Sequence, residues 1–275
     1  MRQLLWPSAF VDAGALAAQE PLGAATNASE PPTLPRLPAD LDHRLRRVLR
    51  LRAGDALTVA DGDGATVAAT WRDAGLGAEG AIARRPRVMP LIWLAFSPLK
   101  GDRDDWLVEK VSEIGADRLL PIRCAHTVSG RDVARDASRR DRWQALCDAA
   151  FEQCGRSHRA RVEAVVDLAA LPFADAAGPI CWLVGDELGG DALLALASPA
   201  GRLADAAPAT ADAWPTPPRS IGLIVGPEGG LALPERAWLA ERGARRVSFG
   251  PEVLRAETAA VLGCGVLAAG RHARA

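Results

Sequence analysis

Two loops near the carboxyl end of the chain carry the residues best placed to do chemistry. One is Gly226-Pro227-Glu228-Gly229-Gly230, which follows the apolar run Leu223-Ile224-Val225. The other begins at Phe249-Gly250-Pro251-Glu252 and runs through Val253-Leu254-Arg255-Ala256-Glu257-Thr258. A strand that stops at such a loop and hands over to a helix leaves backbone N–H and C=O groups open at the carboxyl edge of a sheet. In open α/β sheets that edge is where ligands bind. Glycine allows a closer approach of main chain to ligand than any residue with a Cβ. Arg255 and Glu257 stand where a helix is predicted to begin and where neutral residues would suffice. On its own the first loop serves equally as a tight turn packing a helix onto a sheet. The second loop, at the next strand end, is what favours a shared ligand site.

Other chemistries lack their residues. No GxxxxGK[ST] loop is present to grip phosphates, and no GxGxxG follows the first strand of the α/β part. No GxSxG places a serine nucleophile. His43, His126, His158 and His272 are scattered without metal spacing, and no metal site is expected. Five cysteines, an odd number with no CxxC pair, argue against a disulfide framework and for a reducing, cytoplasmic setting. Pro7 and Asp12 interrupt any apolar core of a signal peptide, and no run is long enough to span a membrane.

The elements that must position the two loops follow from pattern. With 49% hydrophobic and 24% charged residues the chain can bury a real core, and its net charge of −1 gives no global field for nucleic acid. Residues 1–87 read as a small β-rich domain. Thr58–Ala60 and Ala65–Ala69 flank Asp61-Gly62-Asp63-Gly64 as a hairpin, and Leu41–Leu51 has the spacing of an amphipathic helix. The stretch from Pro21 to Pro38 reads as a surface loop or insertion. Residues 88–275 alternate strands and helices. Strands are predicted at Leu91–Phe96, Leu119–Ile122, Val162–Val166, Ile180–Val184, Ile221–Val225 and Val247–Phe249. Helices are predicted at Asp102–Ile114, Arg139–Cys154, Pro234–Arg242 and Pro251–Ala269, with a Pro/Ala-rich connector over 197–218. Such alternation predicts an α/β fold with a largely parallel sheet covered on both faces.

These segments together resemble the 16S ribosomal RNA (uracil(1498)-N(3))-methyltransferase family of the SPOUT superfamily. The resemblance rests on Val225–Gly230 with Glu235 following, on Gly250–Ala259, and on an upstream set. That set is Leu99-Lys100, Glu109-Lys110, Glu113-Ile114-Gly115, Pro121-Ile122 and Glu152-Gln153-Cys154-Gly155-Arg156. Asp42-His43 and Val48–Asp55 fit the family's leading domain, so nearly the whole chain is covered. Met1–Trp6 departs from the family's usual Arg-Arg-x-Phe opening, keeping one Arg and replacing the aromatic of that pattern, and Leu231-Ala232 stand where Phe-Ser is common.

The resemblance implies a PUA-like RNA-binding β-barrel over 1–87 and a SPOUT methyltransferase domain over 88–275, whose C-terminal part is threaded into a trefoil knot, an exception to unknotted topology. It implies S-adenosylmethionine as cofactor, held by Val184, Val225, Gly226, Pro227, Glu228, Gly229, Gly230, Phe249, Gly250, Val253, Leu254, Arg255 and Thr258. Backbone amides would pair with the adenine edge while Val253 and Leu254 cover its faces. The substrate would be N3 of a uridine in 16S rRNA of the small ribosomal subunit. Arg255 would stabilise charge on the uracil oxygens, Glu257 would orient Arg255 or a water, and Glu228 would hold its loop. No general base is assigned.

Arginines supply the RNA side of the expectation. Nearly all positive charge is Arg, with Lys100 and Lys110 the only lysines. Candidate RNA contacts are Arg2, Arg44, Arg47, Arg50, Arg52, Lys100 and Arg156. Arg46 adds to the first cluster, Arg131, Arg135, Arg139, Arg140 and Arg142 form a second, and Arg159 and Arg161 extend a third. Finally, Ala256, Ala260, Cys264 and Ala268 make a stripe of small side chains that permits close helix approach. It reads either as core packing or as part of the homodimer interface the resemblance implies.

Overall fold

The computed structural model describes residues 2–6, 34, 36–73, 75–99, 102–127, 132–187, 189–194 and 218–272. The chain divides into two compact units, Met1–Arg87 with Phe151–Arg159, and Val88–Ala150 with Ala160–Ala275.

The first unit is built on a four-stranded sheet in the order β1-β2-β3-β4: Arg2–Leu5, Ala56–Ala60, Ala65–Arg72 and Gly75–Arg84. β1 and β2 are parallel; the other pairs are antiparallel. The Asp-Gly hairpin closes where expected, with Ala60 opposite Thr66. Side chains of β3 alternate with the period of two that a strand imposes. Ala65, Val67, Ala69 and Trp71 enter a core with Leu4, Trp6, Leu45, Leu57 and Val59. The predicted Leu41–Leu51 helix is shorter. An α-helical turn, α1 (Ala39–His43), passes into a π-helical turn over Arg44–Val48, and Leu45 is the only residue of the two that is buried. The chain then turns at Arg50, which adopts φ +51°.

The segment Phe151–Arg159 belongs to this unit through polar contacts. The Glu152 carboxylate accepts the Leu5 N–H at 2.9 Å and pairs with Arg44. The Gln3 amide donates to the Arg156 carbonyl at 2.9 Å, and Arg159 N–H donates to Gly62 O.

In the second unit the main path of the sheet runs β11-β13-β10-β12-β5-β6-β7, and every pair along it is parallel. Its strands are Leu91–Phe96 (β5), Arg118–Arg123 (β6), Arg161–Val162 (β7), Gly178–Gly185 (β10), Asp191–Ala192 (β11), Ser220–Val225 (β12) and Arg245–Ser248 (β13). The predicted strand Val162–Val166 is interrupted. β7 and the two-residue β8 (Val166–Asp167) both pair with β6 but are not continuous, and β9 (Ala174–Asp175) pairs antiparallel with β10. β12 is buried along its whole length, as a parallel strand covered on both faces must be.

Helices are α2 (Arg103–Ile114), α3 (Val133–Cys154), α4 (Leu233–Glu241) and α5 (Ala256–His272). Ile92, Leu94 and Phe96 pack on one side of the sheet with Leu107, Val111, Trp143, Ala260, Cys264 and Leu267. Trp93 and Ala95 point the other way, to Trp182, Leu168 and Leu239. The stripe Ala256, Ala260, Cys264 and Ala268 lies within the first of these clusters, so those small side chains serve the chain's own core. α5 begins at Ala256, later than predicted, because Pro251–Arg255 forms an irregular segment instead. α3 begins six residues before Arg139, at Val133. The connector 197–218 lies outside the described residues apart from Pro218, and residues 21–33 of the predicted insertion lie outside them too.

One contact in this sheet carries a direct test. Gly222 lies opposite Trp182 in the β10–β12 register, and a Cβ there would stand 2.1 Å from the indole ring. The indole is pinned by its own N–H, which donates to Pro172 O at 2.7 Å. Gly222→Ala is therefore expected to destabilise the fold by about 3 kcal/mol, the upper end of core overpacking. Chemical denaturation measures this, and an unchanged midpoint would show that Trp182 moves freely.

Candidate functional site

A cavity of about 610 Å³ opens at the carboxyl ends of β10, β12 and β13, within the range of small-molecule sites. Three loops line it: Val184–Glu187, Val225–Leu231 without Gly229, and Ser248–Ala256; Arg103, Arg236 and Ala259 complete it. Of the predicted cofactor residues, Val184, Val225, Gly226, Pro227, Glu228, Gly230, Phe249, Gly250, Val253, Leu254 and Arg255 are on this wall. Gly229 is not. It turns toward His126, whose Cβ lies 3.2 Å from the position a Gly229 Cβ would take. Thr258 is exposed and off the cavity, and Glu257 is buried beside it without lining it.

Each loop is fixed by polar contacts that span distant segments. After β10, Asp186 N–H donates to Val247 O at 3.0 Å. The buried Asp186 carboxylate accepts from Arg236 Nη1 at 2.6 Å and lies 2.8 Å from Arg246 Nε. Arg236 Nε also donates to Leu231 O at 3.0 Å, so this one guanidinium ties the first loop to the second. The second loop closes with Gly230 N–H on Pro227 O, and His126 Nδ1 donates toward the carbonyls of Gly229 and Gly230 at 3.0 and 3.1 Å. Glu235 accepts the N–H groups of Ala232 and Ala125, which fixes the start of α4 with Pro234 in its first turn. In the third loop Gly250 has φ +135° and nothing within 4 Å of its missing Cβ. A side chain there would be strained and would project into open space.

Charge is concentrated on the rim. Arg103, in the first turn of α2, hydrogen-bonds Glu228 and lies 3.7 Å from Glu257 Oε2. Arg255 is exposed, and its carbonyl accepts Ala259 N–H at 2.9 Å as the helix begins. Sequence reasoning missed Arg103, Asp186, Glu187 and Arg236. Their partners lie on other elements, a relation that no local spacing encodes.

Asp104, next to Arg103, is buried and accepts Leu99 N–H at 2.8 Å. Burial pushes its carboxyl up to about 6, and this outweighs the Leu99 bond. Because the folded value lies above the ordinary 3.8, the fold favours the protonated acid. Its contribution is present below pH ~4 and is lost as the pH rises through ~6, by about 2–3 kcal/mol. Asp104→Asn is expected to flatten stability between pH ~4 and ~6; an unaltered pH profile of unfolding would contradict this assignment. The thiols of Cys124 and Cys264 are pushed up to about 12 by burial, so neither supplies a thiolate.

The candidate RNA-contacting arginines of the first unit divide. Arg47, Arg50 and Arg52 are exposed, and Arg2 is exposed while donating to Leu49 O. Arg44 is engaged by Glu152, which raises its pKa first through their hydrogen bond. Arg46 pairs with Asp42, and the Arg156 carbonyl is taken by Gln3. In the second cluster Arg142 pairs with Asp105 and Arg140 with Asp141. Lys100 and Arg131 lie outside the described residues. Among the described residues no group of three or more His, Cys, Asp or Glu is arranged to hold a metal, and no helix is long and apolar enough to cross a membrane.

Comparison with known proteins converges on one family. Its RNA methyltransferase domain matches residues 87–268. The ribosomal RNA small subunit methyltransferase E of Mycobacterium tuberculosis is 34% identical over 226 residues, covering 80% of each chain. The structure of the same-named protein of Neisseria gonorrhoeae, bound to S-adenosyl methionine, has a TM-score of 0.61 and 27% identity over 86% of this chain and 93% of that one. A methyltransferase of Legionella pneumophila in complex with SAM has a TM-score of 0.65 and 25% identity over 87% and 93%. With two thirds of its length matched by that domain and a glycine-rich rim at the carboxyl edge of its parallel sheet, the chain belongs to the RNA methyltransferase family.

Proposed function

We propose that this chain is an S-adenosylmethionine-dependent methyltransferase acting on ribosomal RNA of the small subunit, at N3 of uracil, with uridine 1498 of 16S rRNA as the position. The observation that carries the reading is a cavity walled by glycine-rich main chain with Arg255 on its rim. The residues fit the cofactor. The volume suits an adenosyl group, the open side of Gly250 leaves its backbone free to meet a ligand, and Val184, Val253 and Leu254 offer apolar contact. The carboxylates of Glu187 and Glu228 suit a ligand with sulfonium and ammonium charges. When bound, S-adenosylmethionine supplies an electrophilic methyl group.

The chain's own part is binding and electrostatics. Backbone amides of the second and third loops hold the adenine edge. Arg236, by fixing Asp186 to Leu231 O, keeps the first two loops at the spacing the ligand needs. Arg255 stabilises the charge that develops on the uracil oxygens as N3 loses its proton, a preorganised role that requires no reorganisation during the step. We read domain 1–87 as the PUA-like RNA-binding module, with Arg47, Arg50 and Arg52 as phosphate contacts. We read the insertion of β13 between β10 and β11 as part of a trefoil-knotted path, and the active form as a homodimer.

The test is transfer of a labelled methyl group to small ribosomal subunits from a strain lacking this protein, with the nucleotide mapped by mass spectrometry. Label at N3 of a single uridine is the expected result. Label on a ribose oxygen would move the protein to another reaction on RNA. Cofactor binding without transfer to any RNA would make it a binding factor that has kept the fold.

A further inference from the structure

Two guanidiniums line the cavity from outside the three loops, Arg236 of α4 and Arg103 of α2, and Arg236 is committed to Asp186 and Leu231 O. Arg103 reaches the wall from α2, bonded to Glu228 on the rim and 3.7 Å from Glu257 Oε2 behind it. Glu257 is 8% exposed, and its Oε2 accepts no hydrogen bond among the described residues. A buried carboxylate in that state is costly unless a cation compensates it. Arg103 is the cation at hand, so Glu257 attracts its guanidinium by charge, while the Arg103 side chain is 36% exposed and lines the cavity.

We propose that Arg103 is a substrate-contacting, specificity-determining residue. Its guanidinium donates to one carbonyl oxygen of the target uracil while Arg255 donates to the other; Glu257 is the positioning residue behind Arg103. The inference rests on the reading above that uracil N3 is the acceptor. N3 of uracil lies between two carbonyl oxygens, both acceptors. A guanidinium donates and cannot accept, so Arg103 and Arg255, which both line the cavity, match that edge in hydrogen-bonding character. Cytosine carries an amino donor in place of one oxygen. It would set donor against donor and leave both unpaired, the kind of mismatch a site rejects most strongly. Arg103 already bonds a carboxylate oxygen of Glu228, so entry of a carbonyl oxygen exchanges one acceptor of Arg103 for another. As N3 gives its proton to solvent the oxygens gain negative charge, so both contacts strengthen toward the transition state.

The test combines single-turnover methylation of small ribosomal subunits with calorimetric binding of S-adenosylmethionine in the absence of RNA. The proteins are wild type, Arg103→Ala, Arg103→Lys, Glu257→Gln and the double variant Arg103→Ala/Glu257→Gln. Arg103→Ala is expected to lower the rate roughly 100-fold, as for loss of one charge-stabilising donor, with cofactor affinity within about threefold. Arg103→Lys should keep part of the rate, since an ammonium donates without the planar fork, and added guanidinium ion should partly restore Arg103→Ala. Glu257→Gln should slow transfer roughly tenfold alone and add nothing in the double variant, because it acts through Arg103.

A rate within about threefold of wild type in both Arg103 variants would overturn the proposal. So would a loss of cofactor affinity in proportion to the loss of rate, or additive effects in the double variant. If wild type itself places no methyl on uracil N3, the reading of the site fails and the inference with it. If wild type does and the Arg103 variants match it, only the inference fails.

Discussion

Arg255→Ala is expected to slow single-turnover methyl transfer by roughly 10²–10³-fold, equivalent to about 3–4 kcal/mol of lost transition-state stabilisation. The fold should not notice. Arg255 is exposed, and the contact it makes with α5 is through its carbonyl, which accepts Ala259 N–H and survives the substitution. Cofactor affinity should change little, since on the proposed reading main chain and apolar contact hold the adenosyl group and this side chain serves the uracil. The result to look for is a fall in rate with binding intact. A rate equal to wild type would remove Arg255 from the chemistry, and a parallel loss of cofactor affinity would reassign it to ligand holding.

Asp117→Ala should destabilise the second unit by about 3–5 kcal/mol, because it strands a buried guanidinium. Arg271, near the end of α5, donates to Asp117 Oδ2 at 2.6 Å and to Gly115 O at 3.1 Å. The same Asp117 oxygen accepts Ile92 N–H at 2.9 Å. The pair is 5% and 3% exposed at the side chains, so water does not compensate for a missing partner. One carboxylate thus ties the edge of β5 and the α2–β6 turn to the helix that follows the third cavity loop. Double replacement of Asp117 and Arg271 by apolar residues should recover much of the loss, since no lone charge remains. Denaturant midpoints of the single and double variants decide it. Equal destabilisation by both would mean that the carboxylate's bond to Ile92 N–H, not the ion pair, matters most.

The elements were largely written in local pattern. The hairpin at Asp61–Gly64, strand Leu91–Phe96 and the helix ending at Gly115 follow from turn chemistry and apolar periodicity, which short segments carry in themselves. The two site loops were equally legible, because the glycines and prolines that shape a turn are contiguous in sequence. The errors fall where periodicity and tertiary demand diverge. Local pattern predicts helix from Pro251, yet Pro251–Arg255 is irregular and lines the cavity. Local pattern predicts one strand over Val162–Val166, yet β7 and β8 pair with β6 separately. Gly229, a ligand contact by its place in GPEGG, is off the lining and has His126 beside it, a neighbour from a distant segment that no local spacing encodes.

By itself the sequence determined the α/β alternation, the positions of the two glycine-rich loops and the presence of Arg255 beside them, since these depend on neighbours along the chain. Only the tertiary structure decided that Arg103, Asp186 and Arg236 join the same cavity and that Glu257 lies buried behind Arg103. It also decided that Glu152 pairs with Arg44 and accepts the Leu5 N–H within the first unit. The reason is physical: an ion pair between residues from separate elements is fixed by how those elements pack, and packing is a property of the whole fold that no single stretch of residues carries.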